Sequence, residues 1–260
     1  MITNDDGINS PGLIALVEAV MPLAEVVVVA PASQQTNMGR GSLKSESVGV
    51  IHALKINCGS VQHKAYAIEG SPAQAVAHGI LEICPRMPDL CVSGVNYGEN
   101  LGLAFTCSGT LGALFEADSF GIPGIAFSRV IPFENQRLDD FQELDWTQLK
   151  VYVKKIVQRV LLTGMLDSAR ILNVNFPSLI CSNMEMRLTQ QAYLNCGMYI
   201  KPQERPFNKP YQLKWHLNER IDEALPDTDI YAIHHDGVIS ITPLTSKMSV
   251  DIKNIKTNFE

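Results

Sequence analysis

The chain has no apolar run long enough to span a membrane, and its start lacks the basic stretch and apolar core of a secretory leader. Positive charge is not in excess: 21 Lys and Arg face 27 Asp and Glu, a net charge of -6 with a pI near 5.5. No broad basic field is there to hold a nucleic-acid chain or an anionic membrane, so an anionic small substrate must be drawn by something local. The six cysteines (Cys58, Cys84, Cys91, Cys107, Cys181 and Cys196) include no C-x-x-C pair. Their scatter predicts thiols in a reducing compartment rather than a disulfide or zinc framework, and the expected location is cytoplasmic. No G-x-G-x-x-G follows the first strand; N-D-D-G-I-N stands there instead, which argues against a dinucleotide-dependent oxidoreductase. Internal repeats and low-complexity tracts are also missing. What remains is an ordinary globular composition, 46% hydrophobic over 260 residues, enough for one large core or a core with a smaller appendage.

The pattern along the chain is alternating. Ile2-Thr3 reads as the end of a strand, Ser10-Pro11 as a helix start, and Glu25–Ala30 (EVVVVA) as a strand buried on both faces. Val48–Ile56 and Val61–Ile68 flank a turn signal at Asn57–Ser60 and predict a hairpin. Ser71-Pro72 opens a second helix, Asp89–Ser93 a second buried strand, and Ser108-Gly109-Thr110 a third helix running to Phe120. The strand GIAFS, a helix over Leu144–Leu162 and the strand Arg170–Phe176 follow. This order predicts an α/β fold: a Rossmann-like, three-layer core with a mostly parallel sheet over 1–177. Residues 178–260 predict a β-rich C-terminal extension of the same domain. It has an extended arm at Pro202, Pro206 and Pro210, and a second hairpin, Asp229–Ile233 with Val238–Thr242, turning at His234–Gly237.

The adjacent carboxylates Asp5 and Asp6 are the most unusual local feature. Side by side they repel, and a pair held together needs water or a cation; a hard, oxygen-seeking ion such as Mg²⁺ fits. Two further polar loops, Gln34–Asn37 and Asn96–Asn100, also follow predicted buried strands. In an open parallel sheet such loops line the ligand crevice where strand order reverses. If the first strand is central, with Glu25–Ala30 on one side and Asp89–Ser93 on the other, all three meet there. Ser108-Gly109-Thr110 adds a helix N-terminus with two hydroxyls, a natural partner for phosphate oxygens. A metal half and an anion half together suit hydrolysis of a phosphate monoester.

The arrangement resembles the SurE (stationary-phase survival) family of metal-dependent nucleoside-monophosphate phosphatases. The matching segments are TNDDG at 3–7 with Ser10-Pro11-Gly12, VVAP at 28–31, SGVNYGENLG at 93–102, SGT at 108–110, GIPGIAFS at 121–128 and SITPL at 240–244. The resemblance implies one divalent metal, Mg²⁺ or Mn²⁺, per subunit, held by Asp5, Asp6, Thr36 and Asn96, with Asp5 and Asp6 catalytic. It places Asn4, Asn100, Ser108, Gly109 and Thr110 at the phosphate, and implies a homodimer or homotetramer built through the C-terminal arm. Two departures stand out. Thr36-Asn37 replaces the family's usual Ser-Gly; Thr supplies the same oxygen, and Asn tolerates a left-handed backbone. Only Met1 and Ile2 precede the Thr-Asn-Asp-Asp run, where the family has a longer strand, so the metal loop is expected to lack ladder hydrogen bonds beneath it.

Plainer readings cover the other conspicuous residues. His234 and His235 are expected to be exposed in a hairpin turn, His78 a hydrogen-bonded core or interface residue, Cys107 structural, and Trp146 and Trp215 packing residues. The competing function is a Rossmann-like sensor that holds a nucleotide or metal without turnover, and the competing mechanism is a covalent phosphoryl-Asp5.

Overall fold

The computed structural model describes residues 1–132, 141–166 and 168–249; the last part of the expected C-terminal arm, 250–260, lies outside the described residues. In chain order the elements are β1 (Ile2–Thr3), α1 (Pro11–Val20), β2 (Val28–Pro31), β3 (Ile51–Cys58), β4 (Val61–Ile68), α2 (Pro72–His78), β5 (Cys91–Tyr97), α3 (Gly109–Ser119), β6 (Gly124–Arg129), α4 (Thr147–Thr163), β7 (Ile171–Phe176), β8 (Met186–Leu188), β9 (Gly197–Tyr199), β10 (Trp215–Leu217), α5 (Asp229–His234) and β11 (Ile239–Leu244). Nine strands form one sheet in the order β3-β4-β2-β1-β5-β6-β7-β11-β8. The run from β4 to β7 is parallel, while β3 and β11 pair antiparallel to their inner neighbours.

Apolar, β-branched strands need cover on both faces. Leu13, Leu16 and Val17 of α1, with Leu149, Val153 and Val157 of α4, pack on one face against Val92, Phe127 and Val174. Val76 of α2 and Leu111, Leu114 and Ala117 of α3 cover the other, over Cys91, Ala126 and Ile171. Pro begins both α1 and α2. Ser71 and Gln74 form a reciprocal capping box at α2, whereas Ser10 occupies the cap position of α1 without a side-chain cap bond.

The strand order decides where the site lies. From β1 the chain moves outward to β2 and the β3–β4 hairpin, then crosses back to β5 on the opposite side of β1. The reversal falls at β1, and the loops after β1, β2 and β5 open on the same edge. The short β1 is nonetheless laddered on both sides. Ile2 pairs with Val28 and Val92, the Ile2 amide donates to Val27, and Met1 O accepts from the Val92 amide at 2.9 Å. The expected gap beneath the metal loop is therefore absent at these positions.

One expected element is of the wrong kind. Asp229–His234 is a helix, not a strand, so no second hairpin turns at His234–Gly237. Thr228 stands at its cap. The carboxylate of Asp229 accepts the amides of Gly102, Ala192 and Ile230 at 2.8–2.9 Å. Ile230 and Ile233 then share a helical face in a small cluster with Leu101 and Ile221. This tertiary hold on Asp229 outweighs the strand-like residues Ile230, Tyr231 and Ile233. His234 and His235 are exposed as expected, but at a helix end, where His235 stacks on Tyr231 at 4.6 Å. His78 is half-buried and pairs with Glu82 at 3.0 Å. Trp146 packs edge-on to Tyr97. None of the six cysteines is in a disulfide, and among the described residues no helix is long and apolar enough to cross a membrane.

Candidate active site

Asp5 and Asp6 lie just past β1, after Asn4, and are almost fully buried, at 4% and 5% exposure. The turn carrying them is closed by Asn4, whose Nδ2 donates to Gly7 O at 3.0 Å while its Oδ1 accepts the Gly7 amide at 3.2 Å. Asn4 thus shapes the loop and does not line the cavity in front of it. The second loop is tied on by the Gln35 amide, which donates to Asp5 O at 2.7 Å. Asn37 takes φ 63°, the left-handed conformation that Asn accepts more readily than most residues, so it substitutes for Gly at a position that needs it.

The N-terminus of α3 is aimed at Asp5. Thr110 Oγ1 donates to Asp5 Oδ1 at 2.6 Å, and the backbone amides of Gly109 and Thr110 also serve the carboxylate. Gly109 is required for this approach, because a Cβ there would lie 2.7 Å from the Asp5 carboxylate oxygen. The helix dipole and exposed amides are therefore engaged by a protein carboxylate. Of the expected phosphate group, Gly109 and Thr110 hold Asp5, while Ser108 and Asn100 line the cavity. A second close approach seats the other loop: a Cβ on Gly112 would lie 1.9 Å from Gly39 O. Gly112→Ala is expected to lower stability by about 3 kcal/mol or more, a drop of roughly 6–12 °C in a thermal melt, with loss of activity.

The third loop begins inside β5. Pairing with β6 shifts between Ser93 and Asn96, a bulge that re-aims the strand end next to the site. The Tyr97 amide then donates to Asp6 Oδ2 at 3.0 Å, and Gln34 Nε2 donates to Asp6 Oδ1 at 3.4 Å. Asn96 is half-buried, its Nδ2 donating to Gly98 O at 2.8 Å, which turns its amide oxygen the other way. Asp5, Thr36, Asn96, Asn100 and Ser108 line a cavity of about 600 Å³.

Asn100 is held by residues that the motif reading missed. Its amide donates to Asn175 Oδ1 at 2.8 Å; its carbonyl accepts from Asn173 Nδ2 at 2.8 Å and Asn175 Nδ2 at 3.1 Å. Its own Nδ2 donates to Ser128 Oγ at 2.9 Å and Thr110 Oγ1 at 3.4 Å. Since Thr110 must donate to Asp5, it can only accept from Asn100, and this fixes the amide orientation. A signal was present: Asn173 and Asn175 alternate in a strand that is otherwise apolar, so both fall on one face, and a buried amide needs partners.

Electrostatically the pair is under-compensated. Burial pushes both carboxyls well above the usual carboxylate range. Asp5 rises to about 6, its hydrogen bonds from Thr110 and Gly109 offsetting part of the burial; Asp6 rises to about 8 because Asp5's charge adds to burial. Neither is paired with a Lys, Arg or His among the described residues. Two buried carboxylates with no cation, beside a hydroxyl and an amide oxygen, form an oxygen-rich set that fits a hard divalent ion. No group of three or more His, Cys, Asp or Glu side chains comes together among the described residues, so an ion held here would also need oxygens from a hydroxyl and an amide.

The sequence model of the family described as "Survival protein SurE" matches residues 1–197. A Methanospirillum hungatei protein named 5'-nucleotidase SurE is 37% identical over 249 residues, covering 94% of this chain and 85% of that protein. A Methanosarcina mazei protein of the same name is 34% identical, covering 98% and 96%. The crystal structure of the SurE protein from Aquifex aeolicus matches with a TM-score of 0.73 at 31% identity, over 95% of this chain and 93% of that one. With its fold, its motifs and its length all matched, this chain belongs to the SurE family.

Proposed function

We propose that this chain is a divalent-metal-dependent phosphomonoesterase that hydrolyses nucleoside 5'-monophosphates, and 3'-monophosphates to a degree set by the same site. The observation that carries the proposal is the uncompensated buried pair Asp5–Asp6, of which Asp5 lines a cavity large enough for a nucleotide. The names of the relatives point the same way. Asp5, Asp6, Thr36 and Asn96 would hold one Mg²⁺ or Mn²⁺ per subunit. When bound, the ion polarises a phosphoryl oxygen and lowers the pKa of a water. Asp5 or Asp6 orients that water and accepts its proton, and the Ser108 hydroxyl donates to a phosphate oxygen. Asp5 already accepts the Thr110 hydroxyl and two amides, which favours its use as a fixed ligand over use as the nucleophile. Recovery of a phosphorylated Asp5 peptide would reverse that preference.

A cytoplasmic location and assembly into a homodimer or homotetramer are part of the proposal. The first is supported by six cysteines that form no disulfide. The second is supported by the exposed apolar side chains of the arm, Tyr193, Phe207 and Leu217 among them. Phosphate release from a panel of 5'- and 3'-nucleotides, with and without EDTA, tests the activity. Release is expected with Mg²⁺ or Mn²⁺ and should fall to background on chelation. No metal-dependent release from any nucleotide would favour the non-catalytic sensor.

A further inference from the structure

The cavity at the carboxylates is several times larger than a phosphate group needs, and falls within the size range of sites that enclose a whole small ligand. Part of its wall is the β9–β10 ribbon, with Met198, Tyr199 and Trp215 lining it. Trp215 and Tyr199 are directly opposed across that antiparallel pair, so both rings stand on the same face. The indole lies against Gly197, where a Cβ would meet the ring at 2.5 Å; Gly197 thus lets the aromatic surface settle onto the ribbon.

The ribbon is fixed relative to the phosphate end. The Leu103 amide donates to Leu194 O at 2.9 Å and Gln191 Nε2 to Gly102 O at 2.8 Å, tying the approach to β9 to the loop that carries Asn100. Asn218 closes the other side, its Nδ2 donating to Asn195 O at 2.7 Å and its amide to Cys196 O at 2.8 Å.

We infer that this face is the nucleobase platform of the site, with Trp215 and Tyr199 stacking on the base of a nucleoside monophosphate whose phosphate sits at Asp5 and Ser108. The inference rests on the phosphomonoesterase reading. Stacking on an aromatic face tolerates every base, so broad base acceptance is expected, with purines favoured by their larger area.

The test compares AMP with ribose 5-phosphate, which carries the same phosphate and sugar without a base. Trp215→Ala and Tyr199→Ala are each expected to lower kcat/KM for AMP by about 5- to 100-fold, mainly through KM, and to leave ribose 5-phosphate within about twofold. Tyr199 is 71% exposed, so its removal does not threaten the fold. Gly197→Ala, which displaces the indole without deleting it, should reproduce part of the loss. Equal losses on both substrates, or no loss on either, would overturn the platform. Quenching of Trp215 fluorescence by AMP with Mg²⁺, taken as the signal lost in Trp215→Phe, needs no turnover. Its absence overturns the platform even in an active enzyme; its presence supports the platform even if neither substrate is hydrolysed, which separates failure of this inference from failure of the activity.

Discussion

Asp6→Asn is expected to reduce metal-dependent phosphate release by about a thousandfold or more, comparable to removing a principal electrostatic group from an active site, and to make the metal-free protein more stable. The two effects share one cause. Asp6 is buried beside Asp5, and no positive side chain among the described residues offsets the pair. In the metal-free protein this is a repulsion that the fold must carry; with the proposed metal bound, it would be the source of affinity. The amide introduced by Asp6→Asn can keep its oxygen on the Tyr97 amide and turn its NH₂ toward a re-oriented Gln34, so the packing survives while a charge is lost. Retention of more than a tenth of the activity at saturating Mg²⁺ or Mn²⁺ would sink the site assignment.

The same pair sets a pH signature. Both carboxyls have folded-state pKa values above those of an unfolded chain, about 6 and about 8 against an ordinary value near 4. The native state therefore holds protons that the unfolded chain has released. The stability this provides is complete at low pH and is lost as pH rises from about 4 through 8. In EDTA, the melting temperature is expected to fall across that window by an amount equivalent to a few kcal/mol. Mg²⁺ or Mn²⁺ should raise it more at pH 8 than at pH 5, because the ligands must be ionised to bind. Asp6→Asn should flatten the EDTA profile. An EDTA profile already flat in the parent protein would mean that the pair is compensated in solution.

Much of this could be read from residues alone. The β-branched run at Glu25–Ala30, of which Val28–Ala30 are the buried part of β2, and the short run at Asp89–Ser93 have composition and punctuation that leave little choice, and the topology rule placed β1 between them. Asp5, Thr36, Asn96 and Ser108 belong to loops whose position follows from that order. What escaped is what depends on contacts distant in sequence. Asp229–His234 looks like a strand by composition; it is a helix because Asp229 is held by the amides of Gly102 and Ala192. Gly109 and Thr110 look like a phosphate cradle, but the carboxylate that fills the helix end is Asp5, more than a hundred residues earlier. The aromatic wall at Tyr199 and Trp215 has no motif, since its place depends on where the ribbon folds back.

Asn175→Ala should be strongly damaging although Asn175 is not among the proposed metal ligands. Its side chain accepts the Asn100 amide and donates to the Asn100 carbonyl, both within a fully buried strand. Removing it leaves a buried N–H without its partner, and a carbonyl held by Asn173 alone. At roughly 1–3 kcal/mol for each unsatisfied group, the loss is about 2–4 kcal/mol, or some 5–15 °C in melting temperature. The consequence runs further, because Asn100 links Ser128 to Thr110, and Thr110 holds Asp5. Activity is therefore expected to fall by about a hundredfold at temperatures where the variant remains folded, largely in kcat. Asn175→Asp separates the two halves of the clamp: it keeps the acceptor for the Asn100 amide, loses the donor to its carbonyl, and adds a further buried carboxyl to Asp5, Asp6 and Asp229. It should be less active than Asn175→Ala, and its deficit should grow with rising pH. If both variants melt lower but turn over substrate normally, the asparagines serve the fold alone and Asn100 does not need them to be placed.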